Sequence, residues 1–501
     1  MMKKLTVIIL LCALCLCVLT GCGDAVIGPA PTAAQTQSTP NSVLVIDQAD
    51  SGPKGAEITL KGNSASVEGS GVSVSGSTVT IASPGSYSVA GTLDDGCIIV
   101  DTGEVKGDVT LTLKGAEITC LSGPAIHVIE AKNFDLVLED GTLNRLVSGS
   151  EESVSEVKQN GAALFCEDDL DILGTGSLEI WGYINNGITC KDDLDIKDGT
   201  IAVTAVYNGI KGSESVEIYG GSISVKAGND GVKTSSAKKE GKGFILIEGG
   251  MLDVTADGDG IAAETELTIN GGEISVMTSG EKPDGSCKAL KAKTLLTIGG
   301  GTLKLDSEDH ALHCAGDMLL SGGTLTVSSR GGKGISAHGT LELAGSAIKV
   351  TAADDGIETL GSLIVSDGEI DVLAGEDGLK AGDKSTGTGT IEISGGTLTV
   401  SAYGDPVDAK GGAVITGGSF AGVGSANTAK GFAGNSTQRS LLFRFSGGEG
   451  TSAQIVSEHD EVIGTIPARC GYTYALFSSS ALNTGVYRLV DGTLYAEAIA
   501  G

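Results

Sequence analysis

The chain has 501 residues, of which 78 are glycine and 4% are aromatic, and its formal net charge at pH 7 is -30. This length exceeds what one compact hydrophobic core serves, and the negative charge excludes nucleic acid as a partner because phosphates require a basic protein face. Abundant glycine with few aromatic residues is typical of many short β-strands joined by tight turns.

The N-terminus has the features of a secretory signal. Two lysines precede an apolar run over Leu5–Leu19, and the sequence Leu-Thr-Gly-Cys then ends at Cys22, which resembles a bacterial lipobox. The pattern predicts a lipoprotein signal peptide over residues 1–21 and lipidation of Cys22, hence an extracellular protein anchored to the cell membrane by lipid. A plain signal peptide or an N-terminal transmembrane helix is the alternative. The Pro- and Thr-rich residues 22–41 predict a flexible linker.

Three segments with period-two alternation follow this linker. Residues 42–159 are irregularly spaced and predict an N-terminal β cap with the first coils. Residues 160–439 carry a regular repeat, and residues 440–501 predict a small C-terminal cap of antiparallel strands, which protects the edge of the last coil.

The regular segment repeats the unit Asx-Gly followed by an aliphatic residue, mostly at intervals of 22 or 23 residues. Examples begin at Asn186, Asn208, Asp230 and Asp259. A repeat of this length built from short alternating runs predicts an all-β solenoid, a parallel β-helix. Right-handedness follows from the general rule for parallel crossovers.

The aliphatic residue of each unit marks a register for the whole repeat. The position two residues later faces the same way, into the core, and is small throughout. This places Cys166 on Cys190 in adjacent coils, most simply as buried thiols, although the sequence leaves their disulfide state open.

Acidic residues gather at the position two before the mark, in two groups separated by Lys288, His310 and Lys333. Stacked carboxylates repel one another by about 1 kcal/mol per pair even in water, so a cation should offset them. Ca²⁺ suits oxygen-rich clusters on glycine-containing turns. The alternative is that each side chain only caps its own turn. The candidate metal ligands are Asn229, Asp230, Asp257 and Asp259 in the first group, and Asp354, Asp355, Glu358, Glu376, Asp377, Asp405 and Asp408 in the second.

Three lysines at the position one after the mark should face outward, beside these acidic groups. Lys211, Lys233 and Lys380 are therefore candidate contacts for the carboxylates of an acidic polymer. The same three lysines are candidate bases for a lyase, because a Lys amine can remove the proton α to a carboxylate. Simple charge balance is the third interpretation.

Several ordered segments resemble the clostridial carbohydrate-binding β-helix family. They are Gly85–Gly96, Ala162–Ile172, Gly182–Leu194 and Gly220–Gly231. The resemblance implies a cell-surface protein that binds calcium and acidic plant polysaccharide such as polygalacturonate, and also cellulose. It also implies a helix similar to that of the family 9 pectate lyases.

One motif bears on the metal. Asp354-Asp355-x-x-Glu358 resembles the Asp-Asp-x-x-Asp calcium motif of those lyases, with Glu in the last place. Lys380 lies one coil further on but does not map securely onto their catalytic lysine.

The sequence thus predicts a monomeric, non-enzymatic surface protein that recognises acidic polysaccharide through calcium. One alternative is a calcium-dependent pectate lyase with a lysine base. The other is a surface adhesin or spacer that calcium only stiffens.

Overall fold

The computed structural model describes residues 54–152, 161–280, 285–383, 387–426, 429–492 and 494–500. The signal peptide, the lipidation site Cys22 and the linker predicted above lie outside these residues. Within the described ranges the regular secondary structure is β-strand. No helix in these ranges is long and apolar enough to cross a membrane.

One sheet, here named the repeat sheet, contains the strands that carry the Asx-Gly unit. It has 15 strands. In chain order they are Val72–Ser75, Thr78–Ile81, Cys97–Asp101, Ile126–Glu130, Ala162–Cys166, Asn186–Cys190, Ile210–Gly212, Val232–Lys233, Ile261–Ala262, Leu290–Ala292, Leu312–Cys314, Ile335–Ala337, Ile357–Thr359, Leu379–Ala381 and Val407–Ala409.

A second, larger sheet contains 28 strands. In chain order they are Lys54–Gly62, Ala65–Gly69, Gly85–Leu93, Val109–Cys120, Asn133–Leu138, Leu143–Ser148, Asp169–Leu173, Ser177–Gly182, Asp193–Ile196, Thr200–Ala205, Ser215–Ile218, Ser222–Ala227, Phe244–Ile247, Met251–Ala256, Glu266–Ile269, Glu273–Thr278, Leu295–Ile298, Thr302–Ser307, Asp317–Leu320, Thr324–Ser329, Leu341–Ala352, Leu363–Ala374, Ile391–Ile393, Thr397–Ala402, Ala413–Ile415, Ser419–Gly424, Ser440–Gly447 and Tyr472–Ser479.

The regular coils contribute one strand to the repeat sheet and two strand segments to the large sheet. Each strand pairs in parallel with its equivalent in the next coil, so that Ile188 pairs with Ile210 and Ile210 with Val232. The aliphatic register continues unbroken to the pair of Leu379 with Val407. This all-β arrangement of long parallel sheets is consistent with a β-helix-like solenoid.

The glycine of the repeat unit is explained by close packing between coils. A Cβ atom on Gly231 would lie 2.3 Å from Val254 Cγ1 and 2.6 Å from the carbonyl oxygen of Gly260. Gly209 has the same surroundings one coil earlier. A larger residue would force the coils apart.

One hydrophobic cluster runs from Ala56 to Leu476 between the two sheets, and it contains most of the small inward residues of the repeat sheet, for example Ala292 and Ala337. Cys166 and Cys190 are register partners in this core, both fully buried. Both are free thiols in the structure.

The C-terminal strands depart from the parallel pattern. Tyr472–Ser479 pairs antiparallel with Ser419–Gly424 and with Ser440–Gly447. A separate antiparallel sheet of four strands completes this region. Its strands are Ser452–Ser457, Val462–Pro467, Gly485–Asp491 and Leu494–Ala500.

Candidate functional site

The Asx side chains before the repeat-sheet strands form a ladder that joins successive coils. Asn208 Oδ1 accepts the backbone N–H of Asp230 at 3.3 Å, and Asp230 Oδ1 accepts that of Asp259 at 3.0 Å. Asp355 and Asp377 repeat the contact, since Asp355 Oδ1 accepts the N–H of Asp377 at 3.1 Å. One oxygen of each buried side chain therefore serves the fold, which leaves the second carboxylate oxygen for other partners.

In the first acidic group, lysines occupy that second oxygen. Lys233 Nζ lies 2.5 Å from Asp230 Oδ2, and Lys291 Nζ lies 2.6 Å from Asp259 Oδ2. Burial raises the pKa of Asp259. The charge of Lys291 and the hydrogen bond from the backbone N–H of Lys288 have the opposite effect and are stronger together, so the pKa of Asp259 lies below its ordinary value. Stacked carboxylates are offset here by ammonium groups of the chain itself.

The remaining members of the first group, Asp257 and Asn229, form hydrogen bonds with other side chains. Asp257 is half-buried and its Oδ1 accepts the hydroxyl of Ser279 at 2.6 Å. Asn229 donates through Nδ2 to Asn208 Oδ1 at 2.6 Å. Among the described residues, this group does not bring three acidic ligand oxygens within 4.8 Å of one another.

The second acidic group does bring carboxylates together, as two separate triads on adjacent coils. In each triad, one ligand oxygen from every residue lies within 4.8 Å of the other two. We name them the open triad, Asp354, Asp355 and Glu376, and the closed triad, Asp377, Asp405 and Asp408.

The open triad faces solvent. Glu376 is exposed, Asp354 is half-buried and Asp355 is 1% exposed. Within the described part of the chain, the carboxylates of Asp354 and Glu376 have no hydrogen bond or ion pair. Asp355 Oδ2 lies 2.8 Å from Lys380 Nζ and 3.6 Å from Lys333 Nζ. The carboxylates of Asp354 and Glu376 are thus available to a cation at the surface. The buried carboxylate of Asp355 is held by the hydrogen bond to the next coil and by Lys380.

The closed triad is already neutralised by the chain. Lys430 Nζ lies 2.8 Å from Asp405 Oδ2 and 2.7 Å from Asp408 Oδ1, while Lys410 lies 2.5 Å from Asp408 Oδ2. Burial raises the pKa of Asp408, but these two lysines lower it below its ordinary value. The hydroxyl of Tyr474 donates to Asp405 Oδ1.

Asp377, the third member of the closed triad, differs from the other two. Its Oδ2 lies 3.6 Å from Lys380 Nζ, and burial raises its pKa. Its Oδ1 accepts the backbone N–H of Asp405 at 2.9 Å.

Glu358 lies outside both triads. It is 6% exposed and ion-paired with Lys333. The Asp354-Asp355-x-x-Glu358 motif therefore contributes two of its three carboxylates to the open triad.

The residues that directly follow the aliphatic residue of each repeat are predicted to face outward, but in the structure many of them are covered by neighbouring side chains. Phe165, Thr189, Ser336 and Glu358 are buried there, and the lysines are half-buried. Neighbouring side chains cover the row; the ring of His127 packs edge-on against Phe165 at 5.3 Å, for example. Charges in this row are therefore partly removed from water, which strengthens their interactions.

Lys211 differs from the other two candidate lysines. Burial, together with the charges of Lys191 and Lys233, lowers its pKa. No ion pair joins it to any residue that the structure describes. Lys380, by contrast, has a raised pKa: burial lowers it, but the ion pair with Asp355 outweighs that effect.

Three residues that complete the acidic site escaped the sequence argument. Lys410 follows a repeat-sheet strand, Lys430 lies beyond the last coil, and Tyr474 belongs to the C-terminal strands. Lys430 and Tyr474 lie outside the repeat, so its periodicity gives no signal for them. Lys410 lies two residues after Asp408, but nothing in the periodicity of the repeat predicts that the two form an ion pair.

The fold and this site define an all-β protein whose long parallel sheets carry rows of carboxylates and lysines. A family model described as carbohydrate-binding domain-containing protein matches residues 75–330 and 314–458, so the chain belongs to this carbohydrate-binding family.

Two further likenesses accompany the family match. A carbohydrate-binding domain-containing protein of Acetivibrio thermocellus is 34% identical over 127 residues, which is 25% of this chain and 44% of the relative. The match thus spans less than half of that relative's length. A solved structure of a polysaccharide lyase-like protein from C. thermocellum, a gadolinium derivative, is 31% identical with a TM-score of 0.43, and the match covers 53% of this chain and 97% of that one.

Proposed function

We propose that this chain is a right-handed parallel β-helix at the cell surface, lipid-anchored through Cys22, that binds acidic plant polysaccharide through calcium. The family name describes binding rather than catalysis, and it supports a polysaccharide partner. The observation that carries the proposal is the open triad, in which the accessible carboxylates of Asp354 and Glu376 meet the buried carboxylate of Asp355 beside Lys380.

The open triad fits Ca²⁺ better than the other acidic residues do. Ca²⁺ takes six to eight oxygen ligands in flexible geometry. Asp354 and Glu376 offer oxygens that no described residue uses, whereas the closed triad is held by Lys410, Lys430 and Tyr474. Asp354, Asp355 and Glu376 would therefore hold the ion.

Bound calcium would supply positive charge for a sugar carboxylate. The open triad leaves coordination positions for such a carboxylate, because three protein residues do not fill the shell of Ca²⁺. Lys380 Nζ lies between Asp355 and Asp377, at 2.8 and 3.6 Å. It would orient Asp355 and add a hydrogen-bond donor for a second carboxylate of the polymer.

A second candidate function is supported by the surroundings of Lys211. This lysine is half-buried and has no ion pair with any residue that the structure describes, and burial beside Lys191 and Lys233 lowers its pKa. A neutral Lys211 amine can accept the proton α to a sugar carboxylate. The electron pair of that C–H bond then forms a double bond as the glycosidic C–O bond at the β position breaks, and the departing oxygen takes a proton from water. The chain would then be a pectate lyase. Lys233 and Lys380 are less suited to this role because both are ion-paired with aspartate.

The third interpretation is a surface spacer that calcium stiffens. In this case Ca²⁺ would bind the triad and raise the melting temperature, and no glycan would be retained.

One experiment separates the three functions. The purified protein is incubated with an array of plant polysaccharides in Ca²⁺ or in EDTA, while the absorbance of unsaturated product is recorded. Retention of polygalacturonate in Ca²⁺ alone, without product, supports the binding protein. Product formation that is lost in Lys211→Met supports the lyase. Thermal stabilisation by Ca²⁺ without retention supports the spacer, and undiminished retention in EDTA contradicts the calcium-dependent site.

A further inference from the structure

A cluster of three histidines lies between the two acidic groups and takes no part in the function proposed above. His313 belongs to the strand Leu312–Cys314, His310 precedes that strand, and His338 follows the strand of the next coil. The ring centroids of His310 and His313 are 5.6 Å apart, and those of His313 and His338 are 5.1 Å apart. The sequence separates these residues by 3 and 25 positions, so no familiar zinc spacing marks them.

The middle ring has an unused ligand atom. His313 Nδ1 is buried and has no hydrogen-bond partner among the described residues. Buried polar atoms are normally satisfied, so an orphaned nitrogen calls for an explanation, such as a ligand. Burial also lowers the pKa of His313, to about 4, which keeps the imidazole neutral and its lone pair available at pH 7.

The spacing of the rings suits a transition metal. Two imidazoles on one tetrahedral Zn²⁺, with Zn–N distances of about 2.0–2.1 Å, place their ring centroids roughly 5 Å apart. We propose that His310, His313 and His338 form a binding site for a borderline divalent metal of the Zn²⁺, Cu²⁺ or Ni²⁺ class, which joins two adjacent coils. Imidazole nitrogens favour these metals, whereas Ca²⁺ prefers oxygen.

A carboxylate supports one of the ligands. Asp309 Oδ1 lies 3.1 Å from His310 Nδ1. A metal-bound histidine commonly donates its other N–H to such a carboxylate. In the structure the same nitrogen accepts the backbone N–H of Lys333 at 3.1 Å. Metal binding would exchange that hydrogen bond for donation from Nδ1 to Asp309, which leaves Nε2 unprotonated and able to bind the metal.

The surrounding lysines do not bar a cation from the cluster. Lys288 Nζ is 2.5 Å from Asp309 Oδ2, and Lys291 Nζ is 2.6 Å from Asp259 Oδ2. Lys333 pairs with Glu358. Each positive charge is therefore matched by a carboxylate, and the local net charge is close to zero.

Closing the site requires side-chain rotation. The triads of described residues that already place three ligand atoms within 4.8 Å of one another are acidic ones. His338 is exposed, so its ring can rotate towards His313 without disturbing the core.

The test is a titration of the full chain with ZnCl₂ by calorimetry, with CuCl₂ in parallel for electron paramagnetic resonance. We expect one site with nitrogen hyperfine structure in the copper spectrum. His338→Gln should weaken Zn²⁺ binding at least about tenfold, and His313→Gln about a hundredfold, since each removes a ligand. His459→Gln is the matched control, because that histidine is exposed at the C-terminal end of the chain.

Two results would overturn the site. One is a wild-type protein that binds neither metal. The other is unchanged affinity in His338→Gln or His313→Gln, which would place the bound metal elsewhere in the chain. His338→Gln changes an exposed residue, so its folding is not in question, and circular dichroism checks the fold of His313→Gln. Calcium and glycan binding are read separately, so failure here leaves the proposed function untouched.

Discussion

Lys380 Nζ lies 2.8 Å from Asp355 Oδ2, at a carboxylate that is only 1% exposed. The other oxygen of Asp355 is hydrogen-bonded to the next coil. One aspartate therefore links the backbone ladder, which holds the coils together, to the lysine and the open triad, where we place the ligand. The Lys380–Asp355 pair therefore contributes both to the stability of the fold and to the proposed binding site.

Replacing Lys380 by methionine should separate these two roles. The change leaves the buried carboxylate of Asp355 with Lys333, at 3.6 Å, as its one cationic partner among the described residues. The variant should therefore lose about 3 kcal/mol of unfolding free energy without calcium. Calcium should then stabilise the variant more than the wild type, because the competing ammonium is gone. Urea unfolding with and without Ca²⁺ measures both effects, and Lys349→Met, at an exposed position, is the control. Equal stabilisation of variant and wild type by Ca²⁺ would argue against calcium at the open triad.

A row of acidic residues on the large sheet should make stability depend on pH. Asp171 pairs in register with Asp135 and Asp195. Burial first, and the charge of Asp195 second, raise the pKa of Asp171 to about 6. A carboxyl group with a raised folded-state pKa contributes stability at low pH, and that contribution is lost as pH rises through about 6.

Asp171→Asn should therefore stabilise the protein at pH 7.5 and have little effect at pH 4. The side chain is 37% exposed, and after discounting for solvent screening we expect a gain of about 1 kcal/mol at pH 7.5. Urea unfolding at both pH values, with the exposed Asp253→Asn as control, checks this. Lys197 Nζ lies 4.0 Å from Asp171 Oδ1, and destabilisation at pH 7.5 would show that this ion pair outweighs the repulsion from Asp195.

Lys211 and Lys380 should titrate in opposite directions from the ordinary lysine pKa. Burial and two neighbouring lysines lower the pKa of Lys211, while Asp355 holds that of Lys380 above its usual range. Reductive ¹³C-methylation followed by NMR titration reads each ammonium group separately, and Lys211→Arg and Lys380→Arg assign the signals. If Lys211 titrated at or above the usual lysine value, the support for the lyase would be gone.

Several features of the fold were open to sequence reasoning because the repeat is strict. The aliphatic residue returns at nearly constant intervals, so Ile188, Ile210 and Val232 had to share one face, and the structure pairs them in that register. The stacking of Cys166 on Cys190 follows from the same rule.

The first acidic group shows a feature that the repeat does not predict, namely which cation compensates the stacked carboxylates. Stacked Asp230 and Asp259 do require a compensating charge, and the sequence argument assigned it to Ca²⁺. In the structure Lys233 and Lys291 supply it. Lys233 follows its partner Asp230 by 3 residues, whereas Lys291 follows Asp259 by 32. Which lysine pairs with which aspartate depends on how far a side chain extends towards the next coil, and the periodicity of the sequence does not predict this.

Tyr474 is a similar case at the other end of the molecule. It lies outside the repeat, yet its hydroxyl donates to Asp405, which is 5% exposed. Tyr474→Phe should lower the unfolding free energy by about 1–2 kcal/mol, since it removes a hydrogen bond to a buried charged group. Urea unfolding measures the loss, and Tyr403→Phe, at a tyrosine that is 55% exposed, should leave stability unchanged. No loss in Tyr474→Phe would mean that Lys430 alone satisfies Asp405.

The most direct test of the central claim is retention on immobilised polygalacturonate by the double variant Asp354→Asn/Glu376→Gln. These changes remove two charges from the open triad while keeping side-chain size, and both carboxylates are without partners among the described residues, so the fold should persist. Glu369→Gln/Asp367→Asn, on the large sheet, controls for net charge. We expect calcium-dependent retention by the wild type and the control, and none by the double variant. Retention by the double variant at wild-type strength in Ca²⁺ would contradict the account.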